Sequence, residues 1–198
     1  MYHHTRNRLL TRVIAPASEP LTLAEAKLYL RVDDNHEDTL ISDLIVAARM
    51  TAEEWLKTSL ITQSWLLAYD GYWPLWGPVP QPMRNWIHNV IRLPMGPVNN
   101  VGSVVAVAQD GTTQTVNNST YFLNAARNEL ILNWVVLTFR MEITYSAGYG
   151  DASSVPRPIK QGILAHIAAM YDGRGDNGDM ALPEQSIQLY MPYREVRL

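Results

Sequence analysis

The apolar positions of residues 38–58 fall at Leu40, Ile41, Leu44, Ile45, Ala48, Ala52, Trp55 and Leu56. Gaps of one, three and four return to one face of a helix, whereas a strand would alternate strictly. Asp43, Arg49, Glu53, Glu54 and Lys57 fall on the remaining surface, which is expected to be wet. A helix of this length reaches ~30 Å, about the width of a small domain. Its apolar stripe needs cover from the rest of the chain or from another subunit.

Upstream, Thr22-Leu23-Ala24-Glu25 is a capping box, in which each side chain satisfies an orphan amide of the other residue. It predicts a first helix running to about Val32. The acidic run Asp33-Asp34-Asn35-His36-Glu37-Asp38 then lies where an N-cap and the helix dipole favour carboxylates. Residues 1–20 carry Arg6, Arg8 and Arg12, while Pro16 and Pro20 block a helix. They read as an irregular arm, extended around Val13 to Pro16, either frayed or ordered on a neighbouring subunit.

After residue 58 the period changes to two. Strands are expected over 62–69, 86–93, 101–109, 112–116, 121–123, 129–132 and 136–145, with a hairpin turn at Asp110-Gly111 and a Trp- and Pro-rich loop over 71–82. Pro156 and Pro158 introduce a third helix over 159–171, because proline is tolerated in a first turn. Ile159, Ile163, Ile167 and Met170 share a face there, and Ala165, Ala168 and Ala169 permit close approach, so this helix is the expected partner of the long one. The segment from Gly173 to Gly178 breaks it, and Leu182-Pro183 opens a last short helix over 184–190.

One block of strands between two helical blocks marks an α+β fold. The expected organisation is a helical core from 21–60 and 155–172, in which the long amphipathic helix packs on two shorter ones. An antiparallel β-rich subdomain, 61–154, is inserted into it; an arm, 1–20, precedes it; a flexible hinge, 173–182, leads to an extended C-terminal tail, 183–198.

Composition narrows the function classes. With 47% apolar and 18% charged residues, the chain of 198 is a folding protein and not a disordered one. A net charge of −3 supplies no basic surface for gripping DNA phosphates. The absence of cysteine excludes disulfides, thiolate metal sites and thiol chemistry. The polar, basic start is not followed by the apolar run of a signal peptide, and no window approaches the roughly 20 apolar residues of a membrane span. The expected setting is the cytoplasm, or a particle assembled there, with no membrane partner.

No catalytic constellation emerges. Gly173-Arg174-Gly175-Asp176-Asn177-Gly178 spells a dinucleotide fingerprint, but that motif needs a strand before it and a helix opening within it. His3, His4, His36, His88 and His166 include no pair at zinc-binding helical spacing, and no serine sits in a Gly-x-Ser-x-Gly elbow. Asp33, Asp34, His36 and Asp38 would suit a metal-dependent hydrolase, yet capping already accounts for them, and the ligand spacing of a calcium loop is missing. No catalysis, cofactor or metal is expected. Trp65, Trp73, Trp76, Trp86 and Trp134 cluster in or beside the β block. They can fill a sheet core, meet a neighbouring subunit or stack a ligand. The last use defines the alternative function, a glycan-binding module of a tail or cell-surface protein.

Two stretches carry a family resemblance. "EPLTLAEAKLYLRVDDNHEDTLISDLIVAARMTAEEWLKTSLITQSW", from Glu19 to Trp65, resembles the head–tail connector (adaptor) proteins of long-tailed bacteriophages and related gene transfer agents. The resemblance lies in a Pro-Leu-Thr start, a short helix with a Glu-Ala pair, an Asp-rich turn, and a long helix ending before a Thr-Gln-x-Trp strand. The close, 181–198, is similar to that family's ending, with a Leu-Pro step, a short helix, Pro-Tyr-Arg and a final Arg-Leu. Between them Val155-Pro156, Ile159, Gly162, Ile163 and Leu164 match its third helix.

The resemblance implies a non-enzymatic ring protein with the portal's twelvefold symmetry, stacked under the portal at the DNA-exit vertex. It would offer a tail or stopper protein a surface and let double-stranded DNA pass without sequence-specific contact. It implies that the C-terminal segment reaches the portal, which nominates Ile187, Leu189, Tyr190, Met191, Tyr193, Arg194, Arg197 and Leu198. A short helix behind a glycine hinge is expected to order mainly on docking. Candidate subunit-interface residues are Leu44, Arg49 and Trp55 on the long helix and Trp73, Trp76 and Trp86 in the β block.

Overall fold

The structure is a computed structural model, described over residues 7–73, 89–132, 138–173 and 182–194. Within these residues the fold is α+β, with four α-helices and two antiparallel sheets of five and three strands. The chain divides into two compact units, Met1–Ala15 with Gln63–Ala147, and Pro16–Thr62 with Gly148–Leu198.

The second unit is helical. Helix α1 (Leu23–Leu30) opens with the expected capping box: the Thr22 amide donates to Glu25 Oε2 at 2.7 Å, and the Glu25 amide donates to Thr22 Oγ1 at 3.2 Å. Helix α2 (Asp38–Leu56) buries Ile41, Ile45, Ala48, Ala52 and Leu56, the predicted stripe. Helix α3 (Arg157–Asp172) carries Pro158 in its first turn and sets Ile159, Ile163 and Ile167 into the same core. It packs on α2, and α4 (Glu184–Tyr190) packs on α3.

The wet face predicted for α2 needs correction. Arg49 is 4% exposed and Glu53 3%. Arg49 Nε donates to Glu19 Oε2 at 2.7 Å and a terminal nitrogen donates to Glu53 Oε2 at 2.9 Å, while Glu53 Oε1 accepts the Leu60 amide at 2.9 Å. Burial disfavours the Arg49 charge, but Glu19 and Glu53 outweigh it and hold the guanidinium protonated more firmly than usual. Two charges can leave water here because each finds hydrogen-bonded partners.

The acidic run between α1 and α2 also works differently from a side-chain cap. Glu37 occupies the N-cap position without a side-chain capping bond, and its carboxylate accepts the Tyr171 hydroxyl. Asp38, in the first turn, pairs with Lys27 Nζ at 2.6 Å, and Lys27 also donates to Asn35 Oδ1 at 2.8 Å. The run ties α1 to the start of α2.

Where the chain leaves this unit and where it returns are fastened to each other. The Thr62 amide donates to the Gly150 carbonyl at 2.9 Å, and the Tyr149 amide donates to that of Leu60 at 3.3 Å. Gly148, at φ +140°, is required, since a β-carbon would lie 2.6 Å from the Ile61 carbonyl oxygen.

The other unit is built of β1 (Asn7–Ile14), β2 (Gln63–Trp73), β3 (Asn89–Arg92), β4 (Val98–Val107), β5 (Thr113–Thr115), β6 (Tyr121–Asn124), β7 (Glu129–Leu132) and β8 (Thr138–Ala147). The five-stranded sheet runs β1-β2-β8-β4-β5 and the three-stranded sheet β3-β7-β6. Alternate residues of β2 and β8 (Trp65, Leu67, Tyr69; Met141, Ile143, Tyr145) share one core with Ile91, Val104, Leu130 and Leu132. The hairpin at Asp110-Gly111 closes with Gly111 at φ +85° and Asp110 Oδ1 accepting the Thr112 amide at 2.9 Å.

Residues 7–14 are therefore not the irregular arm that the sequence suggested. They form the edge strand of the large sheet, with Arg8 opposite Tyr69 and Arg12 opposite Trp65. The two guanidinium groups lie 4.9 Å and 5.5 Å from those ring centres. Leu9, Val13 and Ile14 stay largely exposed, which is why the segment carries no burial signal of its own.

Candidate docking surface at the C-terminal helix

Gly162 is the residue around which the C-terminal helix is seated. A β-carbon there would lie 2.9 Å from Tyr190 Cζ and closer still to Cε1. Its absence opens a notch in α3 that the tyrosine ring fills, and Tyr190 has no exposed surface. Ser186, one turn earlier on α4, is equally buried and donates its hydroxyl to the Gly162 carbonyl at 2.8 Å. A seven-residue helix has little stability of its own, so tertiary packing of this kind must hold it.

The contact extends outward from the notch. The Tyr190 and Trp55 rings lie 5.9 Å apart, tilted by 47°. Beyond them the Arg194 guanidinium sits over the Trp55 ring at 4.7 Å. A 3-10 turn, Met191–Tyr193, follows α4 and is closed by the Arg194 amide donating to the Met191 carbonyl at 3.3 Å. Met191 is 62% exposed, Tyr193 half-buried and Arg194 exposed.

Two buried polar groups in this unit lack a hydrogen-bond partner among the described residues. The Tyr190 hydroxyl is one, and burial pushes its ionisation well above the usual phenol range. The His166 ring, one turn beyond Gly162 on α3, is the other; burial pulls its pKa below the ordinary imidazole value. Both are neutral at pH 7.

The predicted docking residues are thus divided. Tyr190 is an internal anchor and has no surface to offer a partner. Ile187 and Leu189 are half-buried, while Met191, Tyr193 and Arg194 form the accessible end. Among the interface candidates, Leu44 and Trp55 are half-buried against the helical core, and Arg49 is spent on an internal ion network. Trp65 is buried in the sheet core, as a filler of that core would be. Arg197, Leu198, Trp76, Trp86, Trp134 and the side chain of Trp73 lie outside the described residues, as does most of the 173–182 hinge.

The acidic run forms no metal cluster: among the described residues no three His, Asp or Glu side chains converge. Nor is any described helix long and apolar enough to cross a membrane. Gly162, which seats Tyr190, is the residue that sequence reasoning undervalued. A glycine inside an otherwise strong helical pattern is itself a signal of close approach.

Comparison with known proteins bears on this arrangement. The fold is similar to a chain in the neck of an empty GTA particle computed with C6 symmetry, at TM-score 0.75 and 24% identity, covering 96% of this chain and 97% of that one. A chain in the virion of the native gene transfer agent (GTA) particle matches at TM-score 0.73, with the same identity and coverage. A chain in the neck of the native GTA particle, computed with C12 symmetry, matches at TM-score 0.72, again at 24% identity over 96% and 97%. At that identity the likeness is one of fold. No curated protein sequence matches. Residues 20–95, from just before the Thr22 cap through α2 and β2 to just past β3, match the phage gp6-like head–tail connector protein family.

Proposed function

We propose that this chain is a structural head–tail connector subunit. It forms a ring below the portal at the DNA-exit vertex of a phage or gene-transfer-agent-like particle. The ring links capsid to tail or stopper protein and surrounds the DNA without reading its sequence. The observation that carries this reading is the joint one: a connector-family pattern over residues 20–95 inside a fold shared, nearly end to end, with chains of GTA necks. Those necks were computed with sixfold and twelvefold symmetry, which supports a ring of twelve copies. A net charge of −3 suits a conduit, since a basic lumen would retain the passing phosphates.

In this reading the helical unit is the frame, the hinge over 173–182 delivers the C-terminal segment, and that segment meets the portal. Tyr190 fixes the segment to its own subunit. Docking then falls to Met191, Tyr193 and Arg194, with Arg197 and Leu198 beyond them. Leu44, Trp55, Trp73, Trp76 and Trp86 remain the candidates for contact between copies.

Electron cryomicroscopy of particles from the native host tests the placement: a ring of this chain is expected between portal and tail, and its absence there overturns the reading. Removal of residues 191–198 tests the docking end. The shortened chain should unfold as cooperatively as the full one and lose portal binding; undiminished affinity would refute the assignment of that segment.

A further inference from the structure

The geometry points to a carboxylate-binding site on the helical unit, made by the Arg194 guanidinium stacked on Trp55, whose ligand is an acidic side chain of the protein that docks there. It rests on the connector reading for the identity of the partner but not for the site itself.

The site is preorganised by a chain of contacts that runs from the interior to the surface. The Gly162 notch fixes Tyr190, the Tyr190 ring abuts Trp55, and Trp55 presents its face to Arg194 at 4.7 Å. The Arg194 backbone is held separately by its bond to the Met191 carbonyl. A guanidinium held over an indole face is restrained there by cation–π attraction, and its planar fork of N–H donors can match the two oxygens of a carboxylate.

Among the described residues the guanidinium also has no ion-pair partner, whereas Arg49, Arg92 and Arg140 each have a carboxylate within reach. Arg8 and Arg12 also stack on rings, yet those rings, Tyr69 and Trp65, are buried in the sheet core and the arginines close over them. Trp55 is only half-buried, and beside Arg194 stands Met191 at 62% exposure. An exposed arginine, a half-buried tryptophan and an exposed, flexible apolar side chain side by side have the composition of a protein–protein hot spot. A site for DNA phosphate would need several cations, because phosphate binding draws its strength from counterion release. Here the exposed neighbour is a methionine, so the protein carboxylate is favoured.

The test has two arms on the full-length chain. In the first, the Arg194 Nε–Hε resonance is followed by NMR at low temperature during titration with sodium acetate, against sodium chloride at equal ionic strength. An acetate-specific shift that Trp55→Leu weakens is expected; no difference between the two salts overturns the site. A short DNA duplex moving the resonance where acetate does not would assign the anion to phosphate and overturn the proposal as well. In the second arm, binding to the portal protein of the same particle is measured for Arg194→Ala, Arg194→Lys, Trp55→Leu and the Arg194→Ala/Trp55→Leu pair. Both arginine variants should bind about thirtyfold more weakly or worse, lysine failing because it lacks the planar fork. The pair should be no worse than Arg194→Ala alone. Wild-type affinity in Arg194→Lys overturns the proposal. If the wild-type chain does not bind the portal at all, the connector reading fails on its own, and the acetate arm still decides the site.

Discussion

The two ends of this chain look alike in sequence and are secured in different ways. Both mix arginines with apolar residues and prolines, and both end in arginine–aromatic stacks, Arg8 and Arg12 on Tyr69 and Trp65, and Arg194 on Trp55. At the N-terminal end β1 is held by a ladder shared along its length with β2, and its Leu9, Val13 and Ile14 remain in solvent. At the C-terminal end one side chain, Tyr190, goes fully into a notch left by Gly162. Many weak, repeated bonds hold the first; one large burial holds the second. The ladder should tolerate loss of any single side chain, whereas the keyed helix should not.

Tyr190→Ala should therefore have the largest effect, about 3–5 kcal/mol of stability by analogy with other buried aromatic truncations. Chemical denaturation measures the loss, and hydrogen exchange should show the amides of α4 unprotected before the rest of the helical unit opens. A loss under 1 kcal/mol would mean that the notch is not what seats the helix. Gly162→Ala comes next. The added methyl has no room beside the ring, and overpacking of this kind costs about 1–3 kcal/mol. Combined with Tyr190→Ala it should add almost nothing, because the clash requires the ring.

His166 sharpens the comparison through pH. Its folded-state pKa is pulled below its unfolded value by burial. Its contribution is thus intact above the unfolded pKa of about 6.5 and declines as pH falls toward the folded one, where the unfolded chain takes the proton more readily. Denaturant midpoints taken at pH 7.5 and 5.5 should fall in wild type and fall less in His166→Leu. An equal fall in both would show that other groups carry the acid sensitivity. The smallest effect belongs to the N-terminal end. Arg12→Ala removes one partly exposed stack and should cost about 0.5–1 kcal/mol by the same denaturation assay. A loss as large as that of Tyr190→Ala would erase the distinction between the two ends.

Local chemistry was readable where it was complete within a few residues. Thr22 and Glu25 announce α1, the spacing from Ile41 to Leu56 announces α2, and the span of α4 follows from Pro183 and the polar–apolar order after it. What escaped depends on partners distant in the chain. Arg49 looks solvated until Glu19, thirty residues upstream, is brought to it. β1 looks irregular because its pairing strand begins at Gln63 and its exposed face is apolar, the reverse of a half-buried strand's usual alternation. Tyr190 looks like a surface anchor until a glycine 28 positions earlier supplies its seat. The resemblance to the connector family, by contrast, was legible from Glu19 to Trp65, because its pattern there is made of such local signals.

The fastening of Leu60 and Thr62 to Tyr149 and Gly150 has a broader consequence. A segment whose entry and exit are stitched at a common base behaves as a cassette: what lies between them can lengthen, shorten or change its surface while the closure stays put. Evolution can then refit the strands from β2 to β8 to new neighbours without redesigning the helical scaffold, provided the edge that pairs with β1 is kept. Relatives should differ most in the interior of that cassette and least at its seam.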